Sequence, residues 1–135
     1  MKFMTTLVAT GVTLLTLDII WLTVMAPTYR RLFGDLLLDQ FRVAPAGAFY
    51  VLYLFGVMIL IALPALETGQ SLASVAYRGA VLGLVAYGTY SLTNHATLKG
   101  YGLQLAVMDF FWGPVLTAAS ALAGVAAARY LTATN

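Results

Sequence analysis

The chain has 135 residues, 61% of them hydrophobic and 9% charged, with seven Lys/Arg against five Asp/Glu. So few charges cannot cover a water-soluble domain of this size, so a single membrane-embedded domain is expected. A formal charge of +2 is too small and too dispersed for nucleic-acid binding; zero cysteines exclude disulfides, thiol chemistry and Cys-ligated metals; and one histidine makes a protein-only zinc or haem site improbable, so no metal and no cofactor is expected.

A hydrocarbon core of about 30 Å needs about 20 helical residues. Residues 4–26, 46–65, 75–98 and 103–127 meet that length. They predict an all-α membrane protein, a four-helix transmembrane bundle with both termini on one side. The first segment begins like a signal peptide, with Lys2 before an apolar run. Its length, the internal Asp18 and the Pro27 immediately after Ala26 argue that it is retained as a span. Pro27 is expected to end it. Within residues 28–42, Leu32, Phe33, Leu36, Leu37 and Phe41 recur at helical spacing opposite Arg30, Arg31, Asp35, Asp39 and Arg42. That pattern predicts a short interfacial amphipathic helix after the first span, serving either as a connector or as a lid.

The second span lies between Pro45 and Pro64 and carries Tyr50 and Tyr53 near its start. In the third, Tyr87, Tyr90 and Asn94 share one face, which Gly79 and Gly83 extend as a surface for close helix packing. Gly100 and Gly102 mark the turn into the fourth span, where Gly113-Pro114 predicts a kink. Side A, which carries the amino terminus, holds Lys2, Arg78 and Arg129; side B holds Arg30, Arg31, Arg42 and Lys99. That balance gives no positive-inside orientation.

The informative residues are the polar ones inside the bilayer. An aspartate at a helix centre costs about 2.5–3.5 kcal/mol on insertion scales, so Asp18 and Asp109 should face the protein interior or a water-filled cavity. Counting along the helices puts both carboxyls in the half of the membrane toward side B, where they could meet. Asp18-Ile-Ile-Trp21 is echoed by Asp109-Phe-Phe-Trp112, each aspartate having a tryptophan one turn away; antiparallel helices should place Trp21 nearer side B and Trp112 deeper. Tyr50 and Trp21 also suit an interfacial belt, Lys99 suits snorkelling to the headgroups, and His95 suits helix-end hydrogen bonding as well as base chemistry.

The sequence resembles the bacterial membrane proteins grouped as domain-of-unknown-function family 2177. The resemblance spans essentially the whole chain. It rests on Asp18 and Trp21, on Phe49-Tyr50 with Tyr53 and Gly56, on Tyr90 with Thr93-Asn94 and Ala96-Thr97-Leu98-Lys99-Gly100, and on Asp109 with Trp112-Gly113. It implies a four-helix protein of the bacterial inner membrane and implies no reaction. In that family an Asp often follows the tyrosine where this chain has Ser91.

Three functions are compatible with these residues. In the first, Asp18, Asp109, Asn94, Tyr87, Tyr90, Trp21 and Trp112 form a polar pocket open to side B that binds a small amphipathic or lipid-like molecule or relays a proton. Tyr50, Tyr53, His95, Lys99, Arg30 and Arg31 would then flank the entrance, and membrane lipids are the expected partners. In the second, the chain is an enzyme on a lipid-soluble substrate, with paired carboxyls as general acid and base. In the third, it is a structural or assembly subunit that uses small-residue faces such as Gly124, Ala127 and Ala128 against itself or a membrane-complex partner.

Overall fold

The computed structural model describes residues 1–133 and is built from four long helices. They are α1 (Lys2–Phe33), α2 (Val43–Glu67), α3 (Leu72–Thr97) and α4 (Leu103–Ala133). Lys2 and Ala133 line a common cavity, so the described chain ends lie together on side A.

Three segments, Lys2–Leu36, Val43–Glu67 and Leu103–Ala133, are long and apolar enough to cross a membrane by length and composition. The segment expected as the third span forms α3, whose 26 residues reach roughly 39 Å. Its hydroxyl, amide and glycine residues make it less apolar than the other three. Packing holds it in the bundle instead. A β-carbon built on Gly79 would lie 2.7 Å from Ala118 Cα, and one on Gly83 would lie 2.1 Å from the Gly113 carbonyl oxygen. Without side chains at these positions, α3 runs antiparallel to α4 with the backbones almost touching. Gly124 performs the same task between α4 and α1, facing Thr10 and Thr6. Helix α4 is therefore the hub, with α1 and α3 packed along it.

Helix α2 is attached differently. Its backbone approaches α3 and α4 closely at a π-helical turn, Met58–Ala62. Pro64 contributes no N–H there, and the Leu63 N–H reaches back to the Met58 carbonyl. Val57, Met58, Ile61, Ala62 and Ala65 pack with Val75, Ala121 and Val125 into the side-A core. On side A the Arg129 guanidinium also donates to the backbone carbonyls of Ala65 (3.2 Å) and Gln70, closing the α2–α3 turn. The side-B half, Val43–Val57, has no comparable backing from α3.

Two expectations about the first loop are corrected. Helix α1 does not end at Pro27; it runs through it to Phe33. Proline removes one hydrogen bond but does not forbid a helix that tertiary contacts hold on both sides. Here Tyr29, Leu32 and Phe33 pack onto Tyr101, Leu105 and Ala106. The residues 28–42 are also not a separate amphipathic α-helix. They begin as the last turns of α1, pass through a 3-10 turn at Gly34–Leu36, and are non-helical from there to Arg42. Gly34, at φ 52°, stops α1 in a conformation that side chains disfavour.

Candidate functional site

Extending α1 past Pro27 adds two side chains to the site, Tyr29 and Phe33. Tyr29 lies on the face of Asp18 and Trp21, three turns beyond the aspartate. The Tyr29 hydroxyl donates to Asp109 Oδ1 at 2.5 Å and accepts from Trp21 Nε1 at 3.0 Å. The other carboxyl oxygen, Oδ2, accepts from Tyr101 at 3.1 Å. Asp18 has a parallel arrangement: Oδ1 accepts from Trp112 Nε1 at 3.1 Å and Oδ2 from Tyr50 at 2.5 Å.

Each aspartate is thus served by the helix that carries the other. Trp112 of α4 reaches Asp18 of α1, and Tyr29 of α1, steadied by Trp21, reaches Asp109 of α4. The two indoles lie between them, stacked at 4.4 Å with planes 6° apart. Ring stacking keeps any separation between them in depth within 4.4 Å. The carboxyls are linked through these aromatic groups rather than by a hydrogen bond to one another.

Asp18 and Asp109 are 6% and 7% exposed, and that residual exposure faces a cavity. Its volume is about 280 Å³, just below the small-molecule range that starts at about 300 Å³. Asp18, Asp109, Trp21, Trp112, Tyr29, Tyr87 and Tyr90 form its polar and aromatic wall, with Leu22, Phe33 and Leu37 toward side B. A second cavity of about 380 Å³, lined by Phe49, Tyr53, Ala86, Tyr87 and Tyr90, shares two tyrosines with the first. A third of about 620 Å³ adjoins it below the 34–41 segment and includes Arg30 and Asp39.

The structure therefore brings together six of the seven residues expected at the centre. Asn94, the seventh, sits beside Tyr90 but outside the cavity wall. Among the residues placed at the entrance, Tyr50 is instead a direct partner of Asp18. Tyr53 bonds Thr117 at 2.6 Å and meets Tyr87 edge-on. His95 Nδ1 contacts the Tyr101 carbonyl at 2.8 Å, anchoring the turn that presents Tyr101 to Asp109. Lys99 and Arg31 are exposed and line none of the three cavities. Ser91, at the position where the resembled family often has an acid, is fully buried with no hydroxyl partner among the described residues.

Tyr29 and Tyr101 were missed by sequence reasoning. Continuing the Asp18–Trp21 face past Pro27 would have found the first. Tyr101, in a two-glycine turn, has no periodic signal. Burial, reinforced by the Tyr90 phenol and the Asp109 carboxyl, raises the Tyr101 phenol well above its ordinary pKa, so it remains a donor at any physiological pH.

These features define an all-α membrane protein, a four-helix bundle with two aspartates buried in an aromatic cluster between its first and last helices. Residues 3–126 match the family model described as predicted membrane protein (DUF2177), and the chain belongs to that family. No curated protein and no solved structure matches it.

Proposed function

We propose that the chain binds a small amphipathic molecule within the side-B half of the bacterial inner membrane, at the cavity between Asp18 and Asp109. One observation carries this reading: both buried carboxyls, while hydrogen-bonded to neighbouring helices, also border the same open space behind a wall of aromatic rings. A network serving only to hold helices together has no use for that space. Intramembrane carboxyls beside a cavity are characteristic of ligand and ion pathways.

The geometry favours binding over proton relay. The link between the two carboxyls runs through Trp112 and Trp21, and an indole N–H donates without accepting. A proton could not pass along it. Acid–base catalysis by the pair is less well supported, since each carboxyl oxygen already accepts a hydrogen bond from a side chain.

The full chain should be purified in maltoside detergent and the small molecules released on denaturation identified by mass spectrometry. Wild type is expected to retain about one amphipathic molecule per chain in a one-site cavity. Leu22→Trp, which fills the cavity wall without touching the hydrogen bonds, should reduce retention at least several-fold. If wild type releases only the bulk lipid mixture, or the filled variant retains as much as wild type, the proposal is wrong.

A further inference from the structure

We infer that the ligand is an organic ammonium cation with an apolar tail, its headgroup held between the carboxyls; this rests on the binding reading above. The first argument is charge. Two aspartates border the cavity and no Lys, Arg or His does. All four carboxyl oxygens accept hydrogen bonds, from Trp112, Tyr50, Tyr29 and Tyr101. That is how an ionised, acceptor-only carboxylate is satisfied. The four donors are neutral, so they orient and partly solvate the carboxylates without cancelling their charge. A cation is the complementary occupant.

The second argument concerns which cation. A hard metal ion needs about six or more oxygen ligands, whereas most of this wall is the rings of Trp21, Trp112, Tyr29, Tyr87 and Tyr90. Ring faces attract cations electrostatically and tolerate methyl groups, which is how aromatic cages hold quaternary ammonium headgroups. The third argument concerns the tail. The neighbouring cavity of about 380 Å³ has no charged residue in its wall and meets the carboxyl cavity at Tyr87 and Tyr90. It lies between α2 and α3, where the Val43–Val57 segment meets α3 at the Tyr53–Tyr87 ring contact and leaves space beside it. A headgroup between the aspartates can therefore extend its chain past these tyrosines into this apolar cavity.

Trp21 and Trp112 are the only tryptophans, so indole fluorescence reports on this site alone. The wild-type chain in maltoside micelles, free of lipid ammonium groups, should be titrated with hexyltrimethylammonium. Its neutral isostere, with a quaternary carbon replacing the nitrogen, and hexanesulfonate serve as comparators. A saturable change is expected with the ammonium, at an apparent Kd at least about tenfold below that for either comparator. Asp109→Asn, which keeps one of the two acceptor oxygens and removes the charge, should weaken ammonium binding about tenfold while leaving the isostere unchanged. Equal binding of ammonium and isostere by wild type overturns the charge inference and leaves amphiphile binding intact. No saturable response to any probe also overturns the charge inference, and the retention experiment then decides amphiphile binding independently. Because the wild-type comparison needs no variant, misfolding of Asp109→Asn cannot hide the result.

Discussion

Trp112 and Trp21 are related by the sequence echo but hold different positions in the hydrogen-bond network. Trp112 donates directly to Asp18, so its loss leaves a buried carboxyl oxygen without a partner. Trp21 donates to Tyr29, which retains its own bond to Asp109 when the indole is gone. Trp112→Phe should therefore destabilise by about 1–3 kcal/mol and Trp21→Phe by less. Both should remove the stacking of two indoles 4.4 Å apart. Thermal unfolding of the two variants ranks their costs, and equal losses would contradict this difference in hydrogen bonding. At this scale the sequence was informative wherever residue type alone raises a question. A carboxylate in hydrocarbon demands a partner, so Asp18 and Asp109 stood out at once. Their partners did not, because tyrosines are common in membrane helices and only three-dimensional register separates Tyr29 and Tyr101 from Tyr77.

At the scale of elements, the close approaches at glycine carry the most risk. A β-carbon on Gly83 would meet the backbone of Gly113, which cannot swing aside as a flexible side chain would. Gly83→Ala should cost at least about 2 kcal/mol through overpacking. Gly56, also helical, has open space where its β-carbon would be, so Gly56→Ala should be neutral or slightly stabilising. Thermal unfolding in detergent of the two variants tests the contrast, and similar melting temperatures would contradict the α3–α4 packing described. The i, i+4 spacing of Gly79 and Gly83 made this contact legible beforehand. The extent of α1 was not legible, because the usual rule for proline describes an isolated helix and Pro27 is followed by side chains that pack on α4. The amphipathic pattern of residues 28–42 was real, but Leu32 and Phe33 spend it on the protein interior rather than on headgroups.

For the whole molecule, the contrast between the two membrane halves follows from composition. The side-A half packs into a continuous, mainly aliphatic core with Thr6, Thr10 and Ser120 buried in the helices around it, whereas the side-B half gathers the aspartates, the paired indoles and the phenols that bond the aspartates, and leaves space among them. That division could be read from where polar residues fall along four antiparallel helices. The size of the cavities could not, since it depends on how far α2 stands from α3.

The crossed bonds between α1 and α4 have a mechanical consequence. Sliding or rotating either helix by even one residue would break the bonds at both aspartates together, so this pair behaves as a fixed frame. Helix α2 has a different standing. Below its π turn it is joined to the frame through few groups, and the polar ones among them are the Tyr50–Asp18 and Tyr53–Thr117 bonds. The part freest to swing is then the Val43–Val57 arm, with Met58–Ala62 as its pivot and Tyr50 and Tyr53 as its catches. Tyr50→Phe should release that arm: amide hydrogen exchange across residues 43–57 should accelerate by about tenfold, the equivalent of one hydrogen bond of about 1.4 kcal/mol, while exchange across residues 105–125 stays at the wild-type rate. Equal acceleration in both regions would mean that the bundle loosens as one body and that no part of it acts as a gate.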